Sequence, residues 1–198
     1  MTTREIPVLI VGGGPVGLAL AAELGWRGIA CLLVEQTDGV IHTPKMNEVN
    51  IRTMEFCRRW GIADKVLDCP FPQDHVMDIA FVTSLAGYEL ARQPRPAKRD
   101  QRPGPHSPVS PQICSQLWFD PILADLALSF AGVDIARRCR MESFRDTADG
   151  IEAELVHVDD GRRMRVRARP VTTKSSQSTW GVWFFDVSIS TTSPFCRW

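Results

Sequence analysis

The chain has 198 residues, 44% of them apolar, enough to bury a sizeable core as one domain or as one domain and part of a second. Lys and Arg together number 23 and Asp and Glu together 23, so the formal net charge is zero and the overall electrostatics favour neither a nucleic acid nor an anionic membrane. The apolar stretch over residues 8–20 is too short to span a bilayer and is interrupted by Gly12, Gly13, Gly14, Pro15 and Gly17, which predicts a soluble, cytoplasmic protein without a membrane partner.

Residues 6–11 (IPVLIV) form a continuous β-branched apolar run, the pattern of a strand buried on both faces of a parallel sheet. The run ends at Gly12-Gly13-Gly14-Pro15-Val16-Gly17, a G-x-G-x-x-G sequence, and residues 18–27 then predict a helix rich in Ala and Leu that Gly28 stops. Residues 29–34 (IACLLV) predict a second buried strand, which ends in an acid, Glu35, eighteen residues past Gly17. Together these make a βαβ unit. After a polar connection over 36–46, Met46, Val49, Thr53, Phe56 and Trp60 recur at steps of three and four, predicting an amphipathic helix over 47–60 that ends at Gly61.

Residues 77–92 predict two short strands with a turn near Ala86-Gly87. Residues 92–111 hold six prolines and five basic residues, a composition that cannot enter a sheet or helix interior, and predict a long solvated loop rather than a partner-binding polyproline segment. A helix is predicted over 121–130 with Asp120 as its N-cap. Residues 133–140, 151–158 and 163–169 alternate apolar with polar and are separated by Ala148-Asp149-Gly150 and Asp159-Asp160-Gly161, predicting a three-stranded antiparallel meander. From Pro170 onward eleven of 29 residues are Ser or Thr, only Lys174, Asp186 and Arg197 are charged, and three of the six tryptophans (Trp180, Trp183, Trp198) occur; exposure of these three would mark a surface that needs a partner.

The glycine sequence carries the chemistry. A pyrophosphate needs backbone N–H donors and a positive helix end at close range, and side chains would block its approach. In this arrangement Gly12 makes the tight turn, Gly14 lets the backbone reach the phosphates, and Gly17 lets the helix pack on the strand. Glu35 is placed to accept from a ribose 2′-OH and would repel a 2′-phosphate, so the site is expected to hold FAD or NAD rather than NADP. The loop alone does not choose between those two. Six cysteines without a C-x-x-C pair, and histidines at 42, 75, 106 and 157 far from them, lack metal-site spacing, so no metal is expected and the cysteines are read as small buried residues. The four histidines are read as surface or loop residues, Tyr88 as a packing residue, and no catalytic residue is assigned.

The segment VLIVGGGPVGLALAAELGWRGIACLLVEQ, followed by TPKMNEVNIRTMEFCRRWGI and SPQICSQLWFDPILADLA, resembles the N-terminal part of the FAD-dependent aromatic hydroxylases, the group A flavoprotein monooxygenases that include p-hydroxybenzoate hydroxylase and phenol hydroxylase. The likeness covers roughly residues 5–169. It implies an α/β fold: an incomplete Rossmann-like FAD-binding domain with inserted β-strands of a substrate-binding sheet. It also implies FAD as cofactor, NADPH or NADH as co-substrate, and a small phenolic substrate that is hydroxylated. By position, Gly12, Gly14, Val16 and Gly17 would face the pyrophosphate, Glu35 and Gln36 the adenosine ribose, and Gln116 the flavin end. Lys45 stands where the family usually has arginine, keeping the charge without the bidentate fork.

The implied organisation is a βαβ core and following helix over 1–76, substrate-domain strands and a proline-rich loop over 77–112, a helix and meander over 113–169, and a divergent tail over 170–198. That tail lacks the G-D-G and G-D-A-x-H sequences that hold flavin in the family, so the chain is expected to be an N-terminal fragment, inactive alone, that binds the adenosine half of FAD. The alternatives are a non-catalytic dinucleotide-binding remnant or interaction protein, and an NAD-dependent oxidoreductase.

Overall fold

The structure is a computed structural model that describes residues 2–147, 150–168 and 171–173; the three tail tryptophans lie outside the described residues. In chain order the elements are β1 (Thr2–Ile6), β2 (Val8–Val11), α1 (Pro15–Trp26), β3 (Cys31–Val34), β4 (Glu48–Val49), α2 (Ile51–Arg59) and α3 (Ala63–Leu67). There follow β5 (Ile79–Val82), β6 (Glu89–Gln93), β7 (Gln112–Ile113), α4 (Gln116–Leu128), β8 (Val133–Ala136), β9 (Cys139–Thr147), β10 (Gly150–His157), β11 (Arg163–Ala168) and β12 (Val171–Thr173). They form two compact units, one of Met1–His42 with Leu123–Trp198, the other Thr43–Ile122.

The first unit holds a parallel sheet in the order β12-β2-β3-β8. Counted from β8, its strands run third, second, first, fourth in the chain, the doubly wound order that reverses beside β2. Cys31, Leu32, Leu33 and Val34 are at most 1% exposed, as a strand covered on both faces must be. On one face Leu9, Leu32 and Val34 pack with Cys139, Ala153, Leu155, Val166 and Ala168. On the other, α1 lies against β2, β3 and β8. At about 25 cal/mol per Å² of apolar surface, each such Leu or Ile contributes roughly 1.5–3 kcal/mol, so this two-sided sheet is where the unit's stability is concentrated.

The second sheet of this unit runs β1-β11-β10-β9, with β1 parallel to β11 and the other pairs antiparallel. Two expectations are corrected here. The apolar run over 6–11 is not one strand: Pro7, which has no N–H to give a ladder, divides it, sending β1 to the meander and β2 to the parallel sheet. The predicted strand over 133–140 also divides. Arg138 takes φ 55°, the left-handed region, so β8 stays in the parallel sheet while β9 begins at Cys139 and is the true first strand of the meander. On the meander, Glu152 accepts from both Arg145 and Arg167, and these two bonds hold its carboxyl down to about 2.

In the second unit β4 pairs with β7 and β5 with β6, both antiparallel. The amphipathic helix starts at Ile51, later than predicted, because Asn50 caps it by accepting from the Thr53 N–H at 2.9 Å and the residues before it are spent on β4. The β5–β6 hairpin is exposed along its length, and Tyr88, expected to pack, is 82% exposed. Within the proline-rich loop, Lys98–Asp100 make a 3-10 turn and Lys98 is buried. The last predicted helix begins at Gln116, with Pro121 inside it; Asp120 is therefore no cap but a buried side chain that accepts from Gln116 Nε2 at 3.0 Å.

Candidate cofactor-binding site

β2 delivers the chain to Gly12 at the carboxyl end of the strand, next to the point where the strand order reverses, the place at which doubly wound sheets receive ligands. Gly12 has φ 108°, which side chains rarely adopt, and its N–H donates to Val34 O at 2.8 Å, tying the loop to β3. Gly14 is the extended N-cap of α1, Pro15 opens the helix, no side chain caps it, and no acidic residue stands in its first turn. The positive end of α1 and its first-turn N–H groups, Val16 among them, are thus left for an external anion. Gly17 seals the approach: a Cβ there would lie 2.0 Å from Gly12 O. A cradle with this donor set and no side chain in it fits a dinucleotide pyrophosphate.

Glu35 follows β3 and its carboxylate is fully oriented. Oε2 accepts the Gly13 N–H at 2.7 Å, while Oε1 accepts both the Thr37 N–H and the Thr37 hydroxyl at 2.9 Å. A Cβ on Gly13 would meet the Glu35 Cβ at 2.9 Å, so the middle glycine of the triplet is required by the acid itself. Gln36, next along, is exposed. Asp38 is held below the usual carboxylate range by the Val40 N–H, with Arg138 and His42 adding to the effect. Arg138 also donates its N–H to Thr37 O at 2.9 Å, so the strained residue after β8 braces the loop that carries Glu35.

In the second unit the structure brings together Lys45 and Gln116, far apart in sequence. The Lys45 N–H donates to Gln116 Oε1 at 3.0 Å, and the Gln116 N–H to Met46 O at 2.9 Å. Gln116 is buried, whereas the Lys45 side chain is exposed. The reading of motifs missed the Gly13–Glu35 bond, Thr37 and the Gln116–Asp120 brace. Only the run of three glycines signalled the first. His42, His75 and His106 are exposed. Among the described residues no group of His, Cys, Asp or Glu is arranged to hold a metal ion, and no helix is long and apolar enough to cross a membrane.

Residues 5–171 match the FAD binding domain family. The chain belongs to that family. The nucleotide for which its glycine loop is shaped is accordingly FAD rather than NAD. Tetracenomycin B2 monooxygenase-dioxygenase of Streptomyces olivaceus is 35% identical over 186 residues, covering 85% of this chain and 33% of that protein. Phenol 2-monooxygenase of Pseudomonas sp. (strain EST1001) is 29% identical over 168 residues, 83% of this chain and 28% of that one. Among solved structures, the rebeccamycin biosynthetic enzyme RebC with reduced flavin superposes with a TM-score of 0.80 at 36% identity, over 88% of this chain and 33% of its own. A ternary complex of aklavinone-11 hydroxylase with FAD and aklavinone gives 0.70 at 29% identity, over 86% and 33%. The chain spans about a third of the length of these family members.

Proposed function

We propose that the chain binds FAD through its ADP half and serves an NADPH- or NADH-dependent monooxygenase that hydroxylates a phenolic ring. The observation that carries this reading is the open glycine cradle at the start of α1, with Glu35 locked beside it by Gly13 and Thr37. The names of two relatives, phenol 2-monooxygenase and tetracenomycin B2 monooxygenase-dioxygenase, support the substrate class. Gly14, Val16 and Gly17 hold the pyrophosphate with backbone N–H groups and the helix dipole, while Gly12, whose own N–H goes to Val34 O, makes the turn that brings the loop up to it. Glu35, with Gln36, accepts from the ribose hydroxyls, and its charge turns away a 2′-phosphate.

Lys45 supplies positive charge toward the flavin end, and Gln116 fixes the backbone at residues 45 and 46 that carries it. When bound, FAD supplies electron transfer and oxygen activation; the chain's own part is to orient the nucleotide and hold it. The test is calorimetric titration of the purified chain with FAD, ADP and NADP+, followed by NAD(P)H oxidation over a panel of phenols. FAD and ADP are expected to bind at one equivalent and NADP+ not to bind. A folded chain that takes up neither FAD nor ADP overturns the proposal.

A further inference from the structure

The second unit holds a cluster that the FAD reading does not use. Lys98 is 4% exposed, and its ammonium donates to Cys69 Sγ at 3.0 Å, to Val66 O at 3.2 Å and to Ile113 O at 3.4 Å. Among the described residues no carboxylate pairs with it. A buried lysine ordinarily sits against an acid; here a thiol takes that place. Cys69, just past α3, is 5% exposed, and its Sγ in turn donates to Ile113 O at 3.3 Å. Nitrogen and sulfur are held in register by the carbonyls at the end of α3 and in β7. They stand 3.0 Å apart, in hydrogen-bond contact and slightly beyond the span of an S–O–N bridge.

Two further observations bear on the chemistry open to this pair. Lys98 also lines a cavity of about 460 Å³ with Met54, Leu67, Asp68, Gln73 and Gln112, so open space reaches the lysine side chain. Cys114 lies against Cys69, and burial first, then the Cys69 sulfur beside it, push the Cys114 thiol up to about 12. A thiol that stays protonated is a poor attacker on an oxidised neighbour, which disfavours a Cys69–Cys114 disulfide.

We propose that Cys69 and Lys98 form an oxidation site at which hydrogen peroxide joins sulfur to nitrogen through a bridging oxygen. A first peroxide oxidises the Cys69 thiol to the sulfenic acid and leaves as one water. Lys98 gives up its ammonium proton to solvent. A second peroxide then takes two electrons as the N–O bond forms; the hydrogen of the sulfenic O–H and one from the amine depart with it as two waters. The product is Cys–S–O–NH–Lys, and a thiol reductant returns it to thiol, amine and water. The link closes the stretch between residues 69 and 98, which contains the exposed β5–β6 hairpin, into a covalent loop.

The experiment is graded hydrogen peroxide on the intact chain, tryptic digestion without reductant, and mass spectrometry. The expected product is a joined pair of peptides, one containing Cys69 and one Lys98, with one oxygen gained and two hydrogens lost. Trypsin does not cut it at Lys98, and dithiothreitol separates it into unmodified peptides. It persists in Cys114→Ser, and it is lost in Cys69→Ser and in Lys98→Arg. Three outcomes overturn the proposal in the wild-type chain, whatever the variants do. These are a Cys69–Cys114 link that has only lost two hydrogens, Cys69 carried to the sulfinic acid with Lys98 still cut by trypsin, and no change at doses that oxidise methionine. No outcome depends on whether FAD binds.

Discussion

Replacing Gly17 by alanine sets two effects of opposite sign against each other. Alanine is favoured over glycine in a helix by about 1 kcal/mol, so helix propensity alone predicts stabilisation. Against it, the new Cβ would lie 2.0 Å from Gly12 O and 3.2 Å from Gly12 C, and the first contact involves backbone rather than a side chain that can swing aside. Relief needs a separation of roughly an ångström more, yet Gly12 is anchored by its 2.8 Å bond to Val34 O and α1 by its packing on the parallel sheet. Overpacking of a fitted core costs about 1–3 kcal/mol and sometimes more, and a rigid backbone partner places this site at or beyond the upper end.

The net expectation for Gly17→Ala is a loss of about 2 kcal/mol or more, which for a chain of this size lowers Tm by roughly 4–8 °C. FAD affinity should fall at least about tenfold as well, because relief displaces the Gly12 carbonyl and with it the phosphate donors. Thermal unfolding followed by far-UV circular dichroism, and FAD titration by flavin fluorescence, read the two effects. Gly104→Ala is the control: nothing lies within 4 Å of its Cβ position, so it should change neither. A Gly17→Ala chain that melts at or above the wild-type temperature and binds FAD normally would refute the cradle geometry.

Gly25→Ala should also destabilise, by about 1–3 kcal/mol in urea unfolding, since its Cβ would stand 2.6 Å from Phe130 Cδ2 and 2.7 Å from Val133 Cγ2; an unchanged midpoint would show that α1 is loosely packed there. Glu35→Ala removes the acceptor for Gly13 and Thr37 together, and a loss of roughly 10- to 100-fold in FAD affinity is expected by calorimetry, with equal affinity sinking the assigned role. Glu152 is held at about 2, below its ordinary 4.5, so its contribution is complete above that ordinary value and disappears as pH falls from there toward 2. The wild type should therefore lose more stability across that window than Glu152→Gln, and parallel curves would count against the Arg145 and Arg167 pairing. Burial pushes the Cys31 and Cys57 thiols up to about 11 and that of Cys114 up to about 12. Iodoacetamide at about pH 8 should leave all three unmodified until the chain is unfolded, as peptide mapping would reveal.

The β2–α1–β3 unit was legible because its signals are local: a short apolar run, three glycines and an acid at a set spacing. Its edges were less so. Ile6 looks continuous with Val8 by composition, and only the register of β1 on β11, set by residues at the other end of the chain, shows that Pro7 separates two sheets. Residues 133–140 alternate as a strand should, and nothing local announces that Arg138 turns in the left-handed region; the carbonyls of Glu35 and Thr37 that stabilise this turn come from β3 and its loop. Asp120 before Pro121 is a fair capping signal, overridden because Gln116 accepts the Lys45 N–H and donates to Asp120, starting the helix a turn earlier. In the site, glycine positions could be read from sequence, but the partner of each N–H could not, since a bond such as Gly13 to Glu35 exists only after β2 and β3 have paired.

The pairing of both N-terminal strands with the far end of the described chain bears on how the protein is made. Ile6 pairs with Ala168 and Leu9 with Val171, so β1 and one side of β2 wait for partners 162 residues further along. At ribosomal rates of about 5–20 residues per second, β2 spends on the order of ten seconds as an apolar strand with one edge open. Contacts of such long sequence separation are slow to close even afterwards. The half-built sheet is therefore the aggregation-prone species of this fold, and shielding that edge during synthesis should raise the soluble yield.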